Sequence, residues 1–219
     1  MPTRPMALHG RPAGEMNLVG GQLFLDFVNT VGSRRNSPTQ GPAVCDDKLR
    51  DYLDVVAWGR HTKLLSNAEA ELLLRESGRL PKEASAVYRR ALRLREAIYQ
   101  VCQSVLSSAQ PETGQLEVIN LELLIARQAE RFVRRKARFG FEWNAPSSAL
   151  DRVLWFVTQS AVQWLTTGDL SRLRECGGED CGWVFEDTSR NRSRQWCDMS
   201  DCGNRAKIRR FRIRHQRDA

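Results

Sequence analysis

The chain contains 219 residues, of which 41% are hydrophobic and 27% charged, and its formal net charge at pH 7 is +8. This composition is typical of a globular protein and excludes a disordered chain. It also excludes a membrane protein, because no apolar stretch approaches the roughly 20 residues that a transmembrane helix needs. Residues 1–15 lack the apolar core of a signal peptide, so we expect a flexible leader on a cytoplasmic protein.

The positive charge is concentrated at the C-terminal end. Between Thr188 and Ala219, ten basic residues minus three acidic ones leave +7 of the net charge. Charge confined to one end predicts a polyanion as partner. A solvated basic tail without a partner is the alternative interpretation.

Apolar residues at helical spacing predict a helix within residues 18–31, and a loop rich in Gly, Ser, Pro and Asn follows over 32–46. A second, short helix ends near Gly59. One face of each helix is expected to be buried, formed by Leu23, Phe24, Phe27, Val28 and Val31 in the first and by Leu49, Leu53, Val56 and Ala57 in the second.

A capping box of Ser66 with Glu69 predicts the start of a third helix, which ends near Ser77. Pro81 opens the longest helix, which carries an apolar stripe with arginines largely off it. The stripe consists of Val87, Ala91, Leu94, Ile98, Val101 and Val105, and the arginines are Arg89, Arg90, Arg93 and Arg95.

The pattern changes after a fifth helix over residues 115–128. In residues 131–143 Phe139, Phe141 and Trp143 alternate with other residues, which predicts a strand of a small hairpin with one buried face. A sixth helix runs from Ser148 to about Thr167. Residues 16–168 therefore form a mostly α N-terminal domain with a small β-hairpin. Residues 169–219 form a second domain.

Nothing in the N-terminal domain indicates catalysis, and we expect no enzyme. Phosphate loops, nucleophile elbows and H-E-x-x-H motifs are absent from the sequence. His61 stands at a helix end, where it caps carbonyls rather than performing chemistry. Asp26 with Asn29 is the polar pair of interest in the apolar first segment, and we expect it to make buried hydrogen bonds that organise a turn.

The second domain contains four clustered cysteines with matched spacing, Cys176-x4-Cys181 and Cys197-x4-Cys202. Turns of this length let two sulfurs reach one ion at about 2.3 Å with tetrahedral angles. Two such pairs complete an all-thiolate shell without an open position, which predicts one structural Zn²⁺. A redox dithiol is the alternative, although redox pairs favour a two-residue gap.

This small α+β zinc-binding domain has few residues from which to build a core, so the metal must contribute to its stability. Trp183, Phe185 and Trp196 are expected to supply most of its packing. A terminal helix from about Gly203 to Arg217 is expected to dock on the zinc hairpin through the stripe Asn204, Ile208, Phe211 and His215.

Basic residues cover the rest of this helix and the turn before it, and an α-helix fits the width of a DNA major groove. Arg194 and Arg205 have a second possible role as hydrogen-bond donors to the zinc-bound sulfurs. The candidate nucleic-acid-binding residues are Arg190, Arg192, Arg194, Asn204, Arg205, Lys207, Arg209, Arg210, Arg212 and Arg214.

Residues 190–199 together with the tetrad at 202–205 resemble the CGNR zinc-finger family, which is named after that tetrad. Residues 25–30 (LDFVNT) and the helix ending at Trp58 resemble the ABATE domain that accompanies it. The resemblance covers nearly the whole chain. It implies that the four cysteines are zinc ligands, that the N-terminal domain is mostly helical, and that the protein is a bacterial, stress-linked transcription regulator.

The leading hypothesis is therefore a zinc-containing DNA-binding regulator. The alternative is an RNA-binding or protein-interaction module, in which Trp183 or Trp196 stacks on bases if these side chains are exposed. A small-molecule effector of the N-terminal domain and a homodimer are further hypotheses, and a closed apolar core without a pocket would remove the basis for an effector.

Overall fold

A computed structural model describes residues 11–34, 45–179 and 181–217, with the side chains of Cys45, Gln216 and Arg217 left out. Of the structure, 57% is helical, which confirms the predicted fold class. The helices are α1 (Leu23–Val28), α2 (Tyr52–His61), α3 (Asn67–Arg79), α4 (Pro81–Leu106), α5 (Thr113–Gln128), α6 (Arg152–Thr167) and α7 (Asn204–Arg217). The strands are β1 (Val31–Ser33), β2 (Cys45–Asp47), β3 (Glu130–Arg135), β4 (Arg138–Trp143), β5 (Leu173–Glu175) and β6 (Val184–Glu186).

The six strands form three separate antiparallel pairs, β1 with β2, β3 with β4, and β5 with β6. The β1–β2 pair lies partly in the segment that the sequence predicts to be a loop, and each of its strands has only three residues. Such short strands carry too few alternating residues to show a period in the sequence.

Local sequence signals define the helix boundaries. Ser66 and Glu69 make the predicted reciprocal capping box at the start of α3. Pro81 occupies the first turn of α4, where its missing N–H costs no hydrogen bond, and this helix is the longest, with 26 residues. Both predictions are confirmed because capping depends on residues close together in the chain.

Helix α1 lies at the centre of the molecule, where it packs against α4, α6 and β6. Its six residues include Phe24, Leu25, Phe27 and Val28, which are all completely buried. A helix that is apolar on every side must be covered on every side. The short α1 therefore holds together the helices around it and the C-terminal hairpin.

The C-terminal zinc module shares this core. Trp183, Val184 and Phe185 belong to the same cluster of buried residues as α1, α2, α4 and α6. The indole Nε1 of Trp183 donates to the Val31 carbonyl at 2.6 Å. The two predicted domains are therefore packed as one body, and the module's aromatic residues are buried by the N-terminal helices.

Asn29 joins the two parts directly. Its fully buried side chain donates to the Val184 carbonyl at 2.8 Å and accepts from the Val184 amide at 3.0 Å. Nearby, Asp26 Oδ1 accepts from the Gly20 amide at 2.8 Å. The prediction that this pair makes buried hydrogen bonds is confirmed.

Two residues face the opposite way from the prediction, since Leu53 is expected to be buried and Arg95 to lie off the buried stripe. Leu53 is 52% exposed, because α2 begins at Tyr52 and turns a different face to the core. Arg95 is buried, at 2% exposure, and its guanidinium forms two hydrogen bonds of 2.7 Å with the Asp47 carboxylate. The carboxylate that offsets the burial of this charge comes from Asp47, a distant residue in the sequence, so the pattern within α4 does not reveal it.

The predicted leader divides into two parts. Residues 1–10 lie outside the described residues. Ala13 is completely buried, the Arg11 carbonyl accepts from Lys48 Nζ at 2.9 Å, and Ala13–Glu15 form one turn of 3-10 helix against α2. None of the described helices is both long enough and apolar enough to cross a lipid bilayer.

Replacing Asn29 with Ala leaves the buried amide and carbonyl of Val184 without partners. We expect Asn29→Ala to lower the free energy of unfolding by about 2–3 kcal/mol, measured by urea denaturation of the zinc-loaded chain. Asn67→Ala, at an exposed position of α3, is the matched control and should change it by less than about 0.5 kcal/mol. Equal effects of the two substitutions would contradict the role given to Asn29.

Burial raises the pKa of the Asp26 carboxyl from 3.8 to about 6, and the hydrogen bond from the Gly20 amide only partly offsets this rise. The folded chain thus keeps a proton that the unfolded chain loses between these two pKa values, so this group makes stability fall as pH rises through that window.

Asn at position 26 keeps an acceptor for Gly20 and carries no charge. As the pH rises from 5 to 8, we expect the free energy of unfolding of Asp26→Asn to increase by about 1–2 kcal/mol relative to that of the parent chain. Urea denaturation at several pH values measures the difference in unfolding free energy between the two chains. Protonation of the zinc ligands affects both chains equally, so its contribution largely cancels in this difference. Glu117→Gln, on the exposed face of α5, corrects for loss of a negative charge. A constant difference across this range would contradict the assignment.

Candidate metal centre

The β5–β6 hairpin positions the first cysteine pair. Cys176 follows β5 directly, and its amide donates to the Trp183 carbonyl at 2.8 Å. Gly182 has φ +69°, a conformation that favours glycine, and it returns the chain to β6. At Gly178 a Cβ atom would lie 3.1 Å from the Cys202 sulfur, so the turn passes close to the second cysteine pair.

Polar turns position the second pair. Asp187 is buried, and its carboxylate accepts from the Ser189 and Arg194 amides at 2.9 and 3.0 Å. Asp198 accepts from the Ser200 amide at 2.7 Å and begins the turn of π-helix, Met199–Gly203, that contains Cys202. Helix α7 follows directly, so one cysteine ligand fixes where the helix begins.

The four sulfurs of Cys176, Cys181, Cys197 and Cys202 all lie within 4.8 Å of one another. The Cys181–Cys197 and Cys197–Cys202 sulfur distances are 3.7 and 3.6 Å. A tetrahedron with metal–sulfur bonds of about 2.3 Å has edges of about 3.8 Å. A disulfide bond of about 2.05 Å is much shorter, so the cluster has the size of a zinc site.

All four cysteines are at most 2% exposed, and their four sulfurs would fill every position of a tetrahedral ion. The cluster fits one structural Zn²⁺, as the sequence predicts. Among the side chains that the structure describes, Cys102 is the remaining cysteine; it is buried in α4, where desolvation raises its pKa to about 12 and keeps it a neutral thiol.

Electrostatics show why the cluster needs a cation. Hydrogen bonding to the Cys181 and Cys197 sulfurs lowers the pKa of Cys176 to about 7. The pKa values of Cys181 and Cys197 are raised, first by hydrogen bonding to the neighbouring sulfurs, then by burial and by the negative charge of a neighbouring thiolate. A divalent ion removes this penalty and lets all four sulfurs ionise.

Hydrogen-bond donors surround the sulfurs and reduce the remaining negative charge of a zinc–tetrathiolate centre. The amides of Cys197 and Gly178 lie 3.2 and 3.4 Å from the Cys176 sulfur. One terminal guanidinium nitrogen of Arg205 lies 3.1 Å from the Cys202 sulfur, and its Nε pairs with Asp201 at 3.2 Å. Such donors orient metal ligands and adjust their basicity.

Comparison with known families agrees with this geometry. A family described as "Putative stress-induced transcription regulator", ABATE, matches residues 21–168, which is more than half of the chain. The chain belongs to the ABATE family. The CGNR zinc finger matches residues 172–215 and contains all four cysteines. Among curated proteins, none shows significant sequence similarity to this chain.

The arginines before α7 in this CGNR module lie in different environments. Arg190 is exposed, while Arg192 pairs with Asp169 at 3.0 Å and donates to the Ser171 hydroxyl. Arg194 points inward: its guanidinium donates to the carbonyls of Val19, Trp196 and Cys197 and lies 4.1 Å from the centre of the Phe185 ring. The guanidinium of Arg194 is therefore engaged within the protein, and its predicted phosphate contact stays a prediction.

The candidates on α7 divide into paired and unpaired side chains. Arg205 contacts Cys202 and Asp201, Arg209 pairs with Glu179, and Arg210 lies 5.7 Å from the centre of the Trp196 ring. Asn204 donates to the Ser200 carbonyl within its own turn at 3.0 Å. Within the described part of the chain, Lys207, Arg212 and Arg214 are exposed and make no ion pair.

The predicted docking of α7 is wrong. Ile208 and Phe211 are 53% and 63% exposed, and Phe211 contacts only His215 of its own helix as a ring partner. The zinc hairpin already buries Trp183 and Phe185 against the N-terminal helices, so these two side chains do not supply a surface that receives α7. The helix instead projects from the zinc turn.

A cleft of about 470 Å³ lies between α7 and the zinc turn, and sequence reasoning did not find it. Trp196 and Gln195 form one side, while Arg205, Arg210 and Ile213 form the other. Its formation depends on where α7 leaves the zinc turn, and the sequence carries no local signal for that direction. The cleft places a half-buried indole beside several guanidinium groups.

We expect Cys181→Ser to weaken zinc binding by about 100-fold or more, because the metal loses a thiolate and keeps an incomplete shell. Competition with a chromophoric chelator measures the dissociation constant, and mass spectrometry of the loaded metal measures the stoichiometry. Cys102→Ala is the matched control and should retain one zinc per chain. Unchanged zinc affinity in Cys181→Ser would exclude this cysteine as a ligand.

Proposed function

We propose that this protein is a non-enzymatic, cytoplasmic DNA-binding regulator of transcription that contacts duplex DNA through α7. The charge and position of α7 carry this proposal. The helix contains seven basic residues and no acidic one, and it projects from the zinc centre. Its basic side chains are exposed in the range that the structure describes, up to position 214.

Helix α7 carries like charges at adjacent turns, which repel one another in water. Phosphates relieve this repulsion, and binding releases counterions from the DNA. A zinc ligand fixes the start of the helix, so the helix keeps its direction without docking along its length. An isolated α-helix of this kind has the dimensions to enter a major groove.

The exposed apolar residues of α7 suit the same site. Ile208 and Phe211 lie on a helix whose remaining surface is basic. In the major groove, apolar side chains contact the methyl group of thymine while guanidinium groups contact phosphate or guanine. The apolar stripe that fails to dock on the protein thus has a partner in duplex DNA.

The position of the tryptophans favours duplex DNA over single-stranded RNA at this site. Trp183 is 1% exposed and belongs to the core, so it does not stack on bases. Trp196 is half-buried and has Arg210 against its ring.

The grooves on the N-terminal part, such as the one between α4 and α5, are open to solvent and give no support to an effector site. A homodimer has no supporting contact.

The proposal predicts strong dependence of DNA affinity on salt, with log K falling with log salt at a slope of about −0.9 for each phosphate neutralised. We expect Arg212→Ala and Arg214→Ala each to weaken binding and to reduce the slope by about one unit. Arg209→Ala should have a smaller effect, because Arg209 already pairs with Glu179.

Fluorescence anisotropy with a labelled duplex at several salt concentrations measures both quantities. Arg75→Ala, at an exposed position of α3, is the control for loss of one positive charge and should leave the slope unchanged. A salt-independent affinity, or equal effects of Arg75→Ala and Arg212→Ala, would show that α7 does not carry the binding.

A further inference from the structure

The β3–β4 hairpin extends away from the N-terminal helices. Only its base is packed: the Trp143 ring lies 5.2 Å from that of Trp155 and 5.3 Å from that of Phe156. Glu130, opposite Trp143 in the register, accepts from Gln159 at 3.0 Å. The remaining residues of both strands are exposed or half-buried, so the outer part of the hairpin has no partner in the described chain.

Three phenylalanines lie on one face of this outer part. Phe132, Phe139 and Phe141 are 62%, 64% and 58% exposed. The register places Phe132 opposite Phe141, and the Phe132 and Phe139 rings are stacked with centroids 5.3 Å apart and an angle of 9°. The sequence predicts that Phe139 and Phe141 are buried. The structure shows them on the surface as an aromatic cluster, in which the Phe141 ring is tilted by 57° to the Phe132 ring.

Basic residues lie on both faces of the hairpin and in its turn. Arg134 shares the face of the three phenylalanines, and the pairing register places Arg131, Arg135 and Arg138 on the opposite face. The hairpin and its turn contain Arg131, Arg134, Arg135, Lys136 and Arg138, all exposed. Glu130 and Glu142 are their only acidic neighbours in residues 130–143. Glu142 pairs with Arg135 at 3.5 Å, and Glu130 pairs with Arg127. Among the described residues, the other four basic side chains have no carboxylate partner.

We propose that the aromatic face of the β3–β4 hairpin binds single-stranded DNA. Exposed rings on a strand surface stack on unpaired bases, and flanking arginines contact the phosphates. The surface goes beyond the duplex contact of α7, because it lies on a different part of the chain and offers ring faces that paired bases cannot reach. Stacking of this kind is tolerant of sequence, since every base has a flat face.

Charge argues against a second copy of this chain as the occupant. Two hairpins that each carry five basic and two acidic residues would repel one another when brought face to face. The face formed by Phe132, Arg134, Phe139 and Phe141 contains no hydroxyl or amide side chain that could recognise a ribose 2′-hydroxyl. The face therefore has no such side chain to select ribose over deoxyribose, and its exposed rings and positive charge carry the assignment to single-stranded DNA.

Binding of a fluorescein-labelled dT12 oligonucleotide to the full, zinc-loaded chain tests this inference. We expect Phe132→Ser and Phe139→Ser each to weaken dT12 binding by about tenfold, because each removes one stacking surface. Phe139→Leu keeps the residue apolar and removes the aromatic ring, so it should weaken binding to a similar extent. Full retention of dT12 affinity by Phe139→Leu would contradict stacking of bases on the Phe139 ring. The Phe139→Leu variant still tests the inference if the serine variants prove less stable.

Two further variants separate this surface from α7. Arg212→Ala should leave dT12 affinity unchanged while weakening duplex binding, and Phe132→Ser should do the reverse. Failure of duplex binding would therefore remove the function proposed for α7 and leave the hairpin inference standing. Loss of dT12 binding in Arg212→Ala together with no loss in Phe132→Ser would overturn the hairpin inference.

Three other results would assign the hairpin to another occupant and overturn the inference. The first is markedly tighter binding of rU12 than of dT12, which would indicate RNA. The second is phenylalanine-dependent binding to phosphatidylserine vesicles without binding to dT12, which would indicate an anionic membrane. The third is a dimer in sedimentation equilibrium that Phe139→Ser dissociates, which would indicate a second copy of the chain.

Discussion

The sharing of one cation by four buried sulfurs is the constraint on which the C-terminal zinc module depends. At these distances neither protonation state of the four cysteines is favourable without a metal. Neutral thiols have few hydrogen-bond partners, and thiolates repel one another. Zinc resolves both problems with one ion. In doing so it joins the β5–β6 turn to the start of α7, about 20 residues further along the chain.

The zinc module also completes the core of the N-terminal part. The match to the ABATE family ends at residue 168 and the match to the CGNR zinc finger begins at residue 172. The hydrophobic core, however, continues across this boundary. Val184 bonds to Asn29, Trp183 to Val31, and the Arg34 amide to the Cys181 carbonyl at 2.9 Å. Since α1 has this hairpin on one side and α4 and α6 on others, metal binding stabilises the ABATE part as well.

Features set by neighbouring residues were predictable from the sequence, and those set by distant partners were not. The cysteine spacing, the Ser66 capping box and the start of α4 at Pro81 all act within a few residues. The burial of Arg95 depends on Asp47, which reaches it from another segment. Periodicity identifies the apolar face of α7 and of β4 correctly, but it does not show whether another element covers that face.

These two uncovered faces have a common physical character. On α7 and on the β3–β4 hairpin, exposed aromatic or aliphatic side chains alternate with arginines, and few carboxylates are near. Exposed apolar surface costs free energy in water, and unpaired arginines oppose the burial of such a surface against another basic element of the same chain. A polyanion with flat apolar bases relieves both costs together. The same chemistry that keeps these faces out of the protein core therefore suits them to nucleic acid.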